Sequence, residues 1–524
     1  EPSGYHLFNM LVHLSCAVAL FATVRRAMLR WNSSGVDNAE ATGIAFASAL
    51  LWMLHPLQTE CVNYVSQRTE SMAALCILAS LYCAIRSYET RHRSGWIVAA
   101  GAAGWAGAFC KEIAAVGPVL VVLMDLTFSQ RSLREAVRQR WRLYAATFSS
   151  WIPLAGLLYL LPRTVTVGAT GDATVIQYAL NQSLLVMQYL RLVVWPDVLV
   201  IDYGRPRDVS WFEAFPAVVA VLSLLAMTLA LYRRYPAVSY LGLAGFLLLA
   251  PTSSLLPINS EVGAERRMYL PLAAVAVMVV LGVREIVRRC CEWLNRRKTP
   301  IAIEPNVRYE RRSGQAVICG VLLASSAVVL GVRTIERNND YAAPLKLWTQ
   351  AVEAYPDNPR AWTWLAFELS RVDRVKSERV TAVMASRWRD DWSVLFGVAE
   401  AYLCLHRNAA EAGRCYRRVI EIAPSHVRAR LRLVWLLAGC GDGDLRNGDE
   451  ALRIATALQA EYPYSAEILD ALAIAQAECG EFAAAIATAE SAIAHAEAAG
   501  NSTTMLRERI ERYRTSRPFR FHEI

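Results

Sequence analysis

Four groups of polar and ionisable residues lie at the ends of strongly apolar segments, where they could bind an anionic headgroup. Such residues are costly at or near membrane depth, so each needs a functional or a structural reason. Arginine binds phosphate through its planar fork and lysine binds it as a point charge, while carboxylates can position hydroxyls or deprotonate an acceptor. The groups are His55–Glu60 with Gln67–Glu70, Lys111-Glu112, Tyr189–Tyr203, and Glu261 with Glu265–Tyr269.

A purely structural explanation of these groups stays open. The same residues could be interfacial anchors or internal ion pairs, such as Arg68 with Glu60. The twelve cysteines show no metal-ligand spacing, and neither a P-loop nor a nucleotide-binding glycine motif is present in the sequence. We therefore predict no metal site from the residues alone.

The composition is that of a membrane protein. Hydrophobic residues make up 55% of the 524 residues and charged residues only 19%. A soluble chain of this length would carry more charge on its surface. About ten apolar runs, some extended by weakly polar neighbours, predict membrane-crossing helices of about 20 residues each. The predicted helices cover 5–24, 42–54, 71–85, 95–109, 113–127, 143–161, 214–232, 236–250, 269–283 and 314–332.

The net charge of +9 is located in short loops between these apolar runs. Basic loops of this kind orient membrane helices, so the charge favours a bilayer partner and argues against nucleic acid. We place four basic loops in the cytoplasm: 25–41, 86–93, 130–142 and 284–313. Four other segments then lie together on the outer face: 55–70, 111–112, 162–212 and 251–268. A single crossing by 176–195 would break this pattern. We therefore predict that 176–212 is an interfacial or re-entrant segment.

The C-terminal part is a predicted repeat array. Pro356, Asp390, Pro424 and Pro463 are spaced by 34, 34 and 39 residues, and 34 is the period of tetratricopeptide repeats. The predicted helix pairs are 362–369 with 377–388, 394–405 with 409–420, 427–438 with 450–458, and 466–477 with 482–494. A polar helix at 503–515 would cap the stack. The predicted domains are a membrane domain at 1–335, a repeat domain at 336–500, and a capping helix and tail at 501–524.

The order and spacing of several motifs resemble a known family. The motifs are Gly4–Asn9 with His13, His55-Pro56 to Glu60, Arg68-Thr69-Glu70, Lys111-Glu112, Trp195-Pro196, Asp202-Tyr203, Pro251-Thr252-Ser253 and Glu265–Pro271. Followed by tetratricopeptide repeats, they resemble the transmembrane and tetratricopeptide-repeat-containing O-mannosyltransferases and their prokaryotic relatives. The resemblance covers essentially the whole chain.

The resemblance implies an all-α fold, with a polytopic GT-C-type membrane bundle followed by a tetratricopeptide-repeat α-solenoid. It implies a glycosyltransferase that uses a polyprenyl-phosphate sugar, typically dolichyl-phosphate mannose in eukaryotic members, and a protein Ser or Thr hydroxyl as acceptor. It leaves a divalent cation open as a cofactor. The implied contacts to the donor phosphate are Lys111, Arg266, Arg267 and Arg68. The implied lining of the sugar and acceptor cleft is His55, Glu60, Glu112, Glu265 and Tyr269.

Two departures from the family pattern bear on catalysis. Gln58 stands where members often have a second histidine. The catalytic acidic residue of the family lies in the first outer loop, so we expect the general base to precede residue 1.

Other functions stay open beside the transferase. The chain could be a non-catalytic membrane scaffold whose repeats assemble partners, or it could transfer sugar to a lipid or a polysaccharide. A bacterial inner membrane with the repeats in the periplasm is favoured over an endoplasmic reticulum with the repeats in the lumen.

Overall fold

The computed structural model consists of helices and their connections, and it divides into two compact units, Glu1–Leu347 and Trp348–Ile524. It describes residues 2–31, 36–64, 67–89, 91–129, 132–160, 174–253, 261–296 and 305–521. No β-strand occurs in these described residues. The predicted all-α fold class is therefore confirmed.

The first unit contains the predicted membrane helices, connected in part by short 3₁₀ turns. Its helices are α1 Pro2–Trp31, α2 Asn38–Met53, α3 Thr59–Asn63, α4 Arg68–Glu89, α5 Arg93–Cys110, α6 Val116–Ser129, α7 Leu133–Phe148, α8 Trp151–Leu160, α9 Val175–Val194, α10 Trp211–Ala230, α11 Pro236–Ser253, α12 Pro271–Arg296 and α13 Pro305–Tyr341. The 3₁₀ turns are Pro56–Gln58, Glu112–Ala115 and Glu265–Met268.

Five helical stretches are long and apolar enough to cross a membrane: Ser3–Arg30, Arg68–Glu89, Leu133–Leu160, Trp211–Ala230 and Gly314–Tyr341. Only 17% of the apolar window of Trp211–Ala230 is buried within the protein, and none of that of Gly314–Tyr341. Continuous exposed apolar surface of this size is unfavourable in water and favourable against acyl chains. The chain is therefore a multi-pass membrane protein.

Glycine allows two helices of this unit to pack closely. A Cβ atom at Gly101 of α5 would lie 2.7 Å from the Ala146 carbonyl oxygen of α7, and one at Gly104 would lie 3.2 Å from the Ser150 Cβ. Small residues promote helix association in membranes because they let backbones approach each other.

The four basic stretches that we predicted as loops are largely helical, so that prediction was wrong. α7 begins at Leu133, within the predicted loop 130–142, and α12 continues to Arg296, within the predicted loop 284–313. The charges of α12 pair along its surface, where Arg288 contacts Glu285 and Glu292 at 2.6 Å. Such pairs three and four residues apart stabilise a helix beyond its apolar part.

The predicted interfacial segment contains one helix, α9, followed by irregular backbone from 195 to 210. α9 is not among the five stretches that could span a membrane by length and composition. Residues 161–173, which belong to the predicted outer segment 162–212, lie outside the described residues, as do 254–260 of the predicted outer segment 251–268. The re-entrant arrangement stays a prediction.

The second unit is an array of antiparallel helix pairs. Its helices, counted from the connection between the units, are α14 Pro344–Ala354, α15 Pro359–Ser370, α16 Arg374–Arg387, α17 Trp392–Cys404, α18 Ala409–Ile422, α19 Val427–Gly439, α20 Gly448–Glu461, α21 Ala466–Glu478, α22 Phe482–Ala498 and α23 Thr504–Arg514. The predicted pairs and the helix at 503–515 are confirmed, whereas α14 was not predicted. Paired helices approach closely because fully buried alanines such as Ala412, Ala451 and Ala485 lie between them.

Candidate functional site

Three polar turns of the first unit lie next to apolar helices. The turn Pro56–Gln58 leads into α3 after α2, the turn Glu112–Ala115 connects α5 with α6, and the turn Glu265–Met268 precedes α12. The first and third turns contact each other, and the second contacts α4 and α11. These turns, the residues that flank them and the starts of α3 and α4 contain every residue that was predicted to contact the donor phosphate or to line the cleft.

Arg266 of the third turn pairs with two carboxylates, those of Glu60 in α3 and of Glu261, which precedes the third turn. Its Nη1 lies 2.5 Å from Glu60 Oε1, its backbone N–H donates to Glu60 Oε2 at 2.8 Å, and its Nη2 contacts the Glu261 carboxylate. Burial would lower the pKa of Arg266, but the two carboxylates raise it above its usual value. The structural alternative named an ion pair of Glu60 with Arg68, whereas Glu60 pairs with Arg266 of the third turn.

Lys111 makes the second charged contact of the site. Its Nζ pairs with Glu70 in the first turn of α4, and the Glu70 side chain is only 4% exposed. Lys111 has extended backbone at the end of α5, which directs the chain from that helix into the second turn. Glu60, Glu261, Arg266, Glu70 and Lys111 form the ion-pair cluster.

The buried Cys61 thiol lies within electrostatic range of both parts of this cluster. Burial raises the pKa of Cys61, the carboxylates of Glu70 and Glu60 raise it further, and Lys111 and Arg266 lower it. Four charges from separate parts of the chain thus surround one position. Lys111, Arg266, Glu60 and Glu70 thus all act electrostatically on Cys61.

Arg68 lies close to this cluster in the sequence but pairs differently. Its guanidinium is 5.2 Å from the centroid of the Tyr5 ring. It forms no ion pair with any residue that the structure describes. Arg68 is thus a basic group whose charge is available to an anion.

Two predicted site residues of the third turn hold that turn in place. Arg267 is 4% exposed, and its guanidinium donates at 2.9 Å to the Val262 and Glu261 carbonyl oxygens. Glu265 is fully buried and accepts hydrogen bonds from the Val200 backbone N–H and the Tyr203 hydroxyl. Burial raises the pKa of Glu265 to about 8, and the Arg337 guanidinium opposes this rise.

His55 and Tyr269, which were predicted to line the cleft, are also buried. His55 Nδ1 accepts from the Leu57 N–H at 3.2 Å, and Nε2 donates to the Val193 carbonyl at 3.1 Å, so both ring nitrogens have partners. Burial lowers the pKa of His55 to about 4. The Tyr269 hydroxyl lies 2.8 Å from His13 Nδ1. Both side chains therefore anchor the turns, whereas Glu112, in the second turn, is partly exposed.

A second buried charged group was missed by the sequence analysis. Arg140 Nε lies 3.3 Å from Asp125, which also accepts from the Tyr144 hydroxyl at 2.7 Å. The Arg140 guanidinium lies 3.6 Å from the centroid of the Tyr88 ring. The sequence did contain a signal for this buried pair, because Asp125 is a carboxylate inside an apolar run. Among the described residues, no group of three or more His, Cys, Asp or Glu side chains is placed to hold a metal ion.

Comparison with known proteins gives relatives of one kind. No protein-family model matches the chain. The chain is 22% identical to the protein O-mannosyl-transferase Tmtc3 of Drosophila melanogaster, over 88% of this chain and 56% of that protein. It is 23% identical to the protein O-mannosyl-transferase TMTC4 of Mus musculus, over 69% of this chain and 52% of that protein. The chain thus spans about half the length of the curated relatives that it matches.

Among solved structures, yeast Tom70 aligns with 90% of this chain and 90% of its own, at 12% identity and a TM-score of 0.25. This score is too low to bear on the fold. The similar proteins confirm the resemblance that the motifs indicate: over most of its length, this chain is similar in sequence to the transmembrane and tetratricopeptide-repeat-containing O-mannosyltransferases.

Proposed function

We propose that the chain is a membrane glycosyltransferase of the GT-C type. It moves a sugar, mannose by analogy with its relatives, from a polyprenyl-phosphate donor to Ser or Thr hydroxyls of proteins. The observation that carries this proposal is the presence of two largely buried ion pairs at the polar turns, Lys111 with Glu70 and Arg266 with Glu60, beside helices long enough to cross a bilayer. The topology argued from the basic loops puts this site on the outer face, and the repeats bind the acceptor protein.

In this reaction the acceptor oxygen forms a bond to the anomeric carbon while the bond between that carbon and the phosphate oxygen breaks. The polyprenyl phosphate leaves, and the hydroxyl proton passes to a general base. Negative charge therefore grows on the leaving phosphate, where fixed cations stabilise the transition state. Lys111, Arg266 and Arg68 are the cations assigned to this task.

The carboxylates of the ion-pair cluster keep two of these cations in place. Glu70 holds Lys111, and Glu60 with Glu261 holds Arg266. The ion-pair cluster and Arg68 together contain three cations and three carboxylates, so their formal charges sum to zero when no donor is bound. A phosphate would contact Arg68 directly and share Lys111 and Arg266 with their carboxylates.

The proposal is tested by separating the charge of Lys111 from its pairing with Glu70. Membranes that contain Lys111→Met, Glu70→Gln or the double variant would be supplied with labelled polyprenyl-phosphate mannose and cell-envelope proteins. If Lys111 contacts the phosphate, the double variant stays about 100-fold less active than the unchanged protein, as for other charge-stabilising donors. The Arg284–Glu40 pair between α12 and α2 is the control, and its Arg284→Met/Glu40→Gln variant is expected to remain active.

Two outcomes would contradict different parts of the proposal, the first the role of Lys111 and the second the transferase activity itself. Unchanged activity in the double variant would mean that Lys111 only neutralises Glu70. Absence of label on protein with mannose, glucose and N-acetylhexosamine donors alike would favour a non-catalytic scaffold.

A further inference from the structure

The chain that follows α23 folds back across the repeat array. Residues Ser516–Phe521 form the return segment. The Phe521 N–H donates to the Gly439 carbonyl at 2.8 Å, at the end of α19. The Arg520 guanidinium lies 2.5 Å from Glu478, at the end of α21. Since α19 and α21 are the first helices of two successive pairs and contact each other, the segment crosses two repeats.

Aromatic contacts hold the return segment in this position. The Phe521 ring stacks on Trp435 of α19, with centroids 6.0 Å apart and an angle of 28° between the rings. The Phe519 ring meets the Phe521 ring edge to face, with centroids 5.0 Å apart. The Arg509 guanidinium of α23 covers Phe519 at 4.6 Å. The segment therefore presents alternating aromatic and basic side chains to the array.

Gly439 is needed for this fit. A Cβ atom at that position would lie 2.4 Å from the Phe521 ring, far inside van der Waals contact. The absence of a side chain at the end of α19 thus leaves the space in which the Phe521 ring lies.

The groove that holds the segment continues beyond Phe521. A cavity of about 450 Å³ lies next to this ring, lined by residues 403, 406–410, 440–442 and 445 together with Glu378. His406 is 4% exposed there, and its Nδ1 has no hydrogen-bond partner in the part of the chain that the structure describes, although the Thr381 hydroxyl lies 2.9 Å from Nε2. Trp435, Gly439, Glu478 and this cavity form the array groove.

We propose that the array groove binds extended polypeptides in which aromatic and basic residues alternate, and that the return segment is an internal ligand that competes with them. The partner chemistry is read from the segment itself. An aromatic ring fills the space at Gly439, an arginine pairs with Glu478, and a backbone N–H bonds the end of α19. The inference rests on the proposed function only in that it assigns protein binding to the repeats.

Because the segment is tethered, its effective concentration is in the millimolar range. An external polypeptide therefore competes well only if it fills more of the groove, and the cavity beyond Phe521 offers that additional contact. The alternative is a structural strap, for which release of the segment would destabilise the array and create no binding site.

The test uses the whole protein in detergent and a fluorescent peptide with the segment's sequence, Ser-Arg-Pro-Phe-Arg-Phe. The Arg520→Ser/Phe521→Ser variant releases the segment and keeps Phe519, which also packs against the array core. We expect it to bind the peptide at least about tenfold more tightly than the unchanged protein. Gly439→Ala in the released variant should remove this binding. Gly397→Ala, on α17 where a Cβ would meet no atom within 4 Å, should preserve it.

Hydrogen exchange in the unchanged protein provides a second measurement that does not depend on a variant. An excess of peptide should accelerate exchange of the Phe521 amide, because displacement breaks its bond to Gly439. Equal peptide affinity of the released and unchanged proteins would overturn the proposal, and so would equal affinity with and without Gly439→Ala. Sugar transfer is not needed for either measurement, so a failed transferase assay and a failed binding assay remain distinct.

Discussion

The ion-pair cluster and the repeat array use charged residues in opposite ways. In the cluster, Glu60 and Arg266 are 206 residues apart, and Glu70 and Lys111 are 41 apart. In the array, many pairs join residues separated by about one repeat. Examples are Arg417–Glu450 at 33 residues, Arg430–Glu461 at 31 and Arg432–Glu400 at 32. The array pairs thus follow from the repeat period, whereas the cluster depends on the whole bundle.

Exposure differs between the two regions as well. The carboxylates of Glu60 and Glu70 are 2% and 4% exposed, whereas those of Glu450 and Glu461 are 19% and 46% exposed. Burying an ion pair is a poor way to gain stability, because desolvation can exceed the attraction. The cluster is therefore better explained by a use for its charges than by folding, while the exposed array pairs named above need no such explanation.

The largest expected difference between the regions is the effect of removing one arginine. Arg266→Ala leaves the Glu60 carboxylate buried without its partner, and we expect a loss of about 3–5 kcal/mol in free energy of unfolding. Arg417→Ala breaks a partly exposed pair and should cost about 1 kcal/mol or less. Denaturation in detergent, followed by loss of helical signal, measures both.

The triple variant Arg266→Gln/Glu60→Gln/Glu261→Gln is the matched control, because it removes the charges and keeps polar groups of similar size. It should recover much of the stability lost in Arg266→Ala. A loss below about 1 kcal/mol for Arg266→Ala itself would show that water reaches Glu60 and that the contrast in burial is unfounded.

The second expected difference is in the pH dependence of stability. Glu265 has a pKa of about 8 in the folded chain, against an ordinary value of 4.5. Between these two pH values, the folded chain therefore holds a proton that the unfolded chain has lost. The contribution of Glu265 to stability is fully present below pH 4.5 and is lost as the pH rises through 8. Its slope is at most about 1.4 kcal/mol per pH unit.

The window from pH 6.5 to 8 isolates this effect. The His55 pKa is 6.5 ordinarily and about 4 in the folded chain, so His55 costs stability only as the pH falls below 6.5. Glu265→Gln should flatten the decline between pH 6.5 and 8, and Glu421→Gln, at an exposed position of the array, should leave it unchanged. If stability declined as steeply in Glu265→Gln as in the unchanged protein, another titrating group would be its cause.

The array could be predicted from the sequence because its signals are local and periodic. Pro356, Asp390 and Pro424 mark the ends of units, and the helices between them lie within a few residues of the predicted bounds. The insertion 441–448 explained the longer spacing, because it forms the connection between α19 and α20. α14 was not predicted, although Pro356 follows its end.

The polar turns could be located but their contacts could not be predicted. Apolar runs end before His55 and Lys111, and another begins just after Glu265–Met268, so the sequence marks where the turns lie. The partner of Glu60 depends on how distant helices pack, so the sequence could offer nearby Arg68 only as an example, whereas the structure has Arg266. Burial also decides which residues face a ligand, and it places Arg267 and His55 inside.

The smallest predicted effect tests whether the array is stabilised locally. Asn447 caps α20, since its side-chain oxygen accepts from the Glu450 N–H at 3.0 Å, and Asn408 caps α18 through the Glu411 N–H at 3.2 Å. Neither Lys111 nor Ala264 caps its turn in the first unit through a side-chain hydrogen bond. We expect Asn447→Ala to lower the free energy of unfolding by about 1 kcal/mol.

Asn408→Ala should cost somewhat more, because Asn408 also donates to Glu378 of the preceding repeat at 3.1 Å. Asn447→Asp, which can still accept the Glu450 N–H, is the control and should lose less than the alanine variant. Denaturation of the whole protein, followed by Trp435 fluorescence in otherwise tryptophan-depleted variants, would report on the array. If Asn447→Ala cost as much as Arg266→Ala, the array would depend on a few key contacts as the cluster does, and the contrast between the two regions would fail.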